Sequence, residues 1–184
     1  RPRLDESPLS RERILSTASH LMEEGASDVS MRAVATALGV NAMALYHYFS
    51  DKQALKRAMI EEAFAPLFAL RPRLAGLHTP ELKLKLLAAT YLHCAARALP
   101  LTRHLAVQGG APLAADFAAL FEEALGTPMP SLESTVLRDV LVDYLHGVAL
   151  AGPAHASSTL EAGWPILMEG VRRHLKPDVE IEGV

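Results

Sequence analysis

Apolar residues recur at helical spacing along almost the whole chain and strand-like alternation is scarce, and this periodicity constrains the fold more than any other feature. Ile14, Leu15, Ala18, Leu21 and Met22 form one such stripe. It predicts a helix from the N-cap Ser10, with Glu12 in the first turn, to about Glu24, where Gly25 stops it. Ser30 caps a short second helix with Val34, Ala35 and Leu38 inward, and Gly39 supplies the left-handed residue that ends it. Asn41 caps a third, very short helix through about Tyr48. Ser50, paired with Gln53 as a capping box, opens a fourth that carries Leu55, Met59, Ile60, Ala63, Phe64 and Leu67, with Pro66 as a candidate kink. After Arg71-Pro72 the pattern restarts at Thr79-Pro80-Glu81 and runs to about Leu99. A short apolar piece follows from Leu101 to Gln108, then a break at Gly109-Gly110. Further helices are expected over about 112–125, 131–150 and 158–175, the last opened by a Ser158/Glu161 capping box. The expected architecture is all-α with about nine helices: a head over residues 1–58 and a larger body over 59–184.

Composition narrows the function classes. Half of the 184 residues are apolar and 21% are charged, which is globular composition rather than disorder. The single cysteine, Cys94, excludes an internal disulfide framework and a Cys-rich zinc module. No apolar run reaches the ~18 residues of a membrane span, and the N-terminus has no export-type apolar stretch, so a cytoplasmic protein without membrane contact is expected. The chain begins at Arg1 rather than Met, and is expected to start within a longer natural sequence. The net charge of -3 hides an asymmetry. Residues 1–58 hold eight Lys/Arg against seven Asp/Glu, whereas residues 59–184 hold ten against fourteen. A neutral-to-basic head on an acidic body keeps a nucleic-acid partner open.

Met31 to Phe49 has the spacing of a helix-turn-helix. Two short helices joined by a tight turn need a small residue where they cross, which Ala35 supplies, and a residue tolerant of positive φ in the turn, which is Gly39. Val34, Leu38, Val40, Leu45 and Tyr48 are expected to plug the angle between them. With Leu45, Tyr48 and Phe49 on one face of the third helix, Met43 and His47 lie on the opposite, exposed face, flanked by Ala44 and Tyr46. A major groove accepts such a surface. A simple exposed methionine is the lesser reading of Met43.

Ser10 to about Phe64 resembles the DNA-binding region of TetR-type transcriptional repressors. The resemblance rests on Leu38-Gly39-Val40 in the turn, on Leu45-Tyr46-His47-Tyr48-Phe49, and on Ser50-Asp51-Lys52-Gln53-Ala54-Leu55 opening helix four. It implies that Ser30 and Arg32 meet phosphates or the adjacent groove edge, that Tyr46 and Lys52 hold phosphates, and that Asn41, Ala42, Met43, Ala44 and His47 face base edges. Ala42, Met43 and Ala44 offer no side-chain hydrogen bonds. Base choice is therefore expected to rest on thymine methyls, His47, Arg32 and DNA shape.

One recognition helix reads only a few base pairs, so a homodimer on a palindromic double-stranded operator is expected. Leu137, Leu141, Leu145 and Val148, with Trp164, Leu167, Met168 and Val171, are the candidate dimer residues; the same residues fit an internal core. The resemblance also implies a small-molecule effector that moves helix four. Phe64, Phe68, Tyr91, His104, Phe117, Phe121 and Tyr144 are candidate pocket residues, readable equally as packed core, and their lack of charge points to a neutral, lipophilic effector.

Other chemistries find little support. The sequence contains no G-x-S-x-G, H-E-x-x-H, Walker A or dinucleotide glycine pattern, so no catalytic residues and no enzyme activity are expected. Of the eight histidines, His93, His104 and His146 are, with Cys94, the candidate metal ligands, but none repeats at the i, i+4 spacing of a helical zinc site. No metal or cofactor is expected, and Glu122-Glu123 reads as a solvated face. The competing reading is a helical ligand-binding protein or enzyme that keeps a DNA-head-like fold without using it.

Overall fold

The structure, a computed structural model, describes residues 8–26, 28–102, 111–126 and 132–175. Among these the regular structure is helical throughout: α1 (Arg11–Glu23), α2 (Met31–Leu38), α3 (Ala42–Leu45), α4 (Lys52–Phe68), α5 (Arg71–Ala75), α6 (Pro80–Thr102), α7 (Ala111–Leu125), α8 (Leu132–Leu150) and α9 (Pro153–Leu175). The all-α expectation holds, and the differences are local.

α4 is capped by Asp51 and not by Ser50: the Ala54 amide donates to Asp51 Oδ1 at 2.7 Å. A carboxylate satisfies the orphan amide and also complements the positive end of the helix, which a hydroxyl cannot do as well. α3 closes at Leu45, so the residues expected to extend it to Tyr48 form a turn. α5 has no counterpart in the sequence reading; Pro72 in its first turn presets the backbone, and Leu70 and Leu74 are buried. α9 begins at Pro153, which puts Ser158 inside the helix, and the Ser158/Glu161 capping box therefore does not open it. Residues 103–110, including His104 and the Gly109-Gly110 break, lie outside the described residues.

Ile14, Ala18, Val34, Leu45 and Leu55 are fully enclosed where α1, α2, α3 and the start of α4 meet. α4 continues without interruption past residue 58, packing on α1 at one end and along α6 further on, and α6 in turn packs on α7 and α8. One buried cluster extends from Ile14 in α1 to Val171 in α9. The head is thus mounted on the body through a helix whose residues Leu55, Met59, Ile60, Phe64 and Leu67 are all buried. Glu122 and Glu123 do not form a solvated face: Glu122 is buried and accepts a 2.9 Å hydrogen bond from Ser134, while Glu123 pairs with Arg71.

Candidate nucleic-acid interface

The turn between α2 and α3 is built around Gly39, in the left-handed region at φ 69°. Its amide donates to Thr36 O at 3.1 Å and the Val40 amide to Ala35 O at 3.0 Å, the paired bonds of a Schellman closure. A side chain at this φ would be strained, so the abrupt change of direction needs glycine. Ser30 Oγ accepts from the Ala33 amide and Asn41 Oδ1 from the Met43 amide, so both side chains serve as caps. The Asn41 oxygen is engaged in this way as the α3 cap.

α3 is a four-residue probe with a buried root. Leu45 and Phe49 are buried beneath it, Met43 is 67% exposed, Tyr46 is 45% exposed, and His47 is exposed as well. Ala42 and Ala44 are half-buried at its sides, and Arg32 is exposed on α2. Every DNA-facing residue expected from the sequence is therefore on the surface or half-buried. Tyr48 differs from its expected place: it does not plug the angle between the helices but lies at the surface, where its hydroxyl donates to Leu9 O at 2.6 Å. Arg11 stacks its guanidinium 4.5 Å from the centre of the Phe49 ring and reaches Tyr48 O. These contacts pin the start of α1 to the end of the probe. They span 37 to 39 residues of chain, and no local sequence signal announces them.

Lys52 also has a partner that sequence reasoning missed. Its ammonium pairs with Asp28, ahead of α2, and Lys56 Nζ lies 2.6 Å from the other Asp28 oxygen. Partial burial pushes the Asp28 carboxyl up, but hydrogen bonds and charge from the two lysines outweigh it and hold the pKa at about 2. The available signal was the Lys52/Lys56 pair at i, i+4, a like-charge repulsion that calls for a counter-ion.

In the body, four of the candidate pocket residues come together. Tyr91 packs on Phe64 at 5.5 Å between ring centres and on Phe117 at 4.9 Å, and Phe117 neighbours Phe121 at 6.4 Å. His146, considered only as a metal ligand from the sequence, completes the cluster with its ring 3.4 Å from the Tyr91 hydroxyl. Burial, with smaller effects from Asp143 and Cys94, raises the Tyr91 pKa, so the phenol stays neutral. Phe68 is half-buried near the end of α4. Tyr144 is not part of the cluster; its hydroxyl donates to Thr159 O, and its ring lies where a Cβ on Gly163 would overlap it. A separate cleft of about 310 Å³ opens between α1, α4 and α6, floored by Met22, Met59 and Leu101.

Of the candidate dimer residues, Leu141, Leu145, Val148, Trp164, Met168 and Val171 are buried within a single chain, and Leu137 and Leu167 are half-buried. Leu141, Leu145, Trp164, Met168 and Val171 belong to the chain's own buried core, and Leu137 and Leu167 pack against it. The outward apolar residues of the same two helices are Val136, Val140 and Leu150 on α8 and Ile166, 77% exposed, on α9. Among the described residues no group of three or more His, Cys, Asp or Glu could hold a metal ion, and no helix is long and apolar enough to cross a membrane.

A helix-turn-helix with an outward α3 thus adjoins α4, the helix that packs along α6 further down the chain. Residues 14–59 match the model of the tetR family of bacterial regulatory proteins. The chain's fold is that of TetR-family regulators of known structure. A TetR-family transcriptional regulator from Streptomyces coelicolor is 20% identical and superposes with a TM-score of 0.67 over 89% of this chain and 98% of its own. A second TetR regulator from the same organism gives 16% identity and 0.64 over 93% and 90%. A fatty acid degradation regulator from Bacillus halodurans gives 16% and 0.53 over 92% and 100%. No curated protein sequence matches the chain.

Proposed function

We propose that this protein is a cytoplasmic, ligand-responsive repressor, not an enzyme, that binds a palindromic operator as a homodimer. The observation that carries the reading is the α3 probe: Met43, Tyr46 and His47 project outward from a root formed by buried Leu45 and Phe49. Residues 1–58 are the DNA-binding unit and 59–184 the effector and dimer unit. Met43 and the two alanines meet thymine methyls, His47 contacts a base edge, and Ser30, Arg32, Tyr46 and Lys52 attend to the backbone. The second copy docks on the outward face of α8 and α9, around exposed Val140 and Ile166, with half-buried Leu137 and Leu167 from the set expected from the sequence on the same two helices.

The effector is a small, neutral, lipophilic molecule. It enters by parting the rings of Phe64, Tyr91 and Phe117, with Tyr91 and His146 as its polar contacts. Phe64 belongs to α4, so a ligand that displaces it shifts the helix on which the head is mounted. A coupling of ~1–3 kcal/mol releases the operator about 5–150-fold.

A salt-dependent shift assay on DNA flanking the protein's own gene tests the reading. Retention of a palindrome with protected half-sites one helical turn apart, about 34–36 Å, is the expected result. Absence of any retained fragment at low salt favours instead a body that works without its head.

A further inference from the structure

Lys52 and Lys56 lie one turn apart on α4, and both reach back to Asp28 in the segment ahead of α2. The three side chains differ in freedom. Lys56 is 3% exposed, enclosed by the head, and its ammonium is held 2.6 Å from Asp28 Oδ1. Lys52, the first residue of α4, is 39% exposed, and its flexible stem lets the charge swing into solvent. The carboxylate between them is 42% exposed. On the DNA-binding reading of the head, on which this inference rests, the Lys52 ammonium must also meet a phosphate. It cannot serve two anions at full strength.

We infer that Asp28 competes internally with the DNA backbone, holding Lys52 in the free protein and yielding it to a phosphate on docking while buried Lys56 stays behind to neutralise the carboxylate. The arrangement leaves one net positive charge on three groups. Without Lys56, the released Asp28 would repel the phosphate that Lys52 approaches; with it, the exchange proceeds at little cost. Asp28 touches no base in this scheme, so it restrains affinity for every sequence by a similar factor and leaves base choice to α3. Asp28 is a positioning residue that acts through Lys52.

The test uses the full chain and a fluorescein-labelled random-sequence duplex, read by anisotropy over a range of salt. Asp28→Asn is expected to bind about two- to fivefold more tightly, the factor carried by a half-exposed ion pair. Lys52→Ala is expected to weaken binding and to flatten the salt dependence by about one unit. In the Lys52→Ala background the Asp28→Asn gain should vanish. The gain persisting there shows through-space repulsion instead and overturns the exchange, as does an unchanged or weakened Asp28→Asn. Because Asp28→Asn leaves an ammonium buried beside a neutral amide, Asp28→Asn/Lys56→Met is measured alongside it, with thermal unfolding as a control. The same gain is expected from the double variant. Loss of the folded head in both makes Asp28 a structural anchor alone and also refutes the inference. A wild-type chain that binds no duplex at any salt refutes the DNA-binding reading itself, which is a distinguishable result.

Discussion

Acidification should loosen the head through one carboxylate. Asp28 sits at a pKa of about 2 in the folded chain, against an ordinary value of 3.8. A depressed folded pKa means stability that is present in full above the unfolded value and lost as the pH falls through about 4 toward about 2. The undiscounted shift corresponds to about 2.4 kcal/mol. Asp28 is 42% exposed, so solvent screening reduces this to about 1 kcal/mol. Urea unfolding followed by circular dichroism, for wild type and Asp28→Asn in parallel, isolates the effect. Glu12, Asp51 and Glu169 also have lowered values, from a backbone hydrogen bond for the first two and from Arg173 for the third, but they are common to both proteins and cancel in the difference. The wild-type advantage should hold at about 1 kcal/mol above pH ~5 and approach zero near pH ~2, where Asp28 is half protonated or more. A difference of the same size at both ends would mean that the loop needs the Asp28 side chain for its shape and not for its charge.

Three further outcomes are expected from the geometry. His47→Ala should relax base preference at one operator position in a randomised-site selection; a uniform fall for all sequences would make His47 a phosphate contact. Ile166→Glu, combined with Val140→Lys, should shift sedimentation from dimer toward monomer, since both residues face outward from α8 and α9, and an unshifted dimer would place the interface elsewhere. Gly163→Ala should cost about 1–3 kcal/mol in thermal unfolding by overpacking Tyr144, and Tyr144→Phe should leave that penalty largely in place because the ring itself meets the new methyl.

Much of the head was legible because its determinants are local. Ser10, Ser30 and Asn41 are caps whose partners lie two or three residues away, and Gly39 closes α2 through bonds to Ala35 and Thr36 and through the one φ that favours glycine. The exposure of Met43 and His47 followed from the apolar period that buries Leu45. Tyr48 misled for the same reason: period alone assigns an aromatic to the core, whereas α3 ends at Leu45 and the residues beyond it leave the helical register. The α4 cap is displaced by one position because Ser50 and Asp51 are both competent caps, and the choice depends on backbone direction after Phe49.

The body was less legible. Its long helices are visible in the apolar period, but the inward faces of α8 and α9 could not be told from faces meant for a second copy, since both are apolar stripes. Leu145 and Trp164 are inward and Val140 and Ile166 outward only because α6 lies against α8 and α8 against α9. Helix type, length and termination are written in short-range spacing and capping, because hydrogen bonds within a helix join residues four apart. Which face is hidden, that His146 meets Tyr91, and that Asp28 is shared between two lysines depend on residues 24 to 55 positions apart. Tertiary packing alone brings such groups within contact distance.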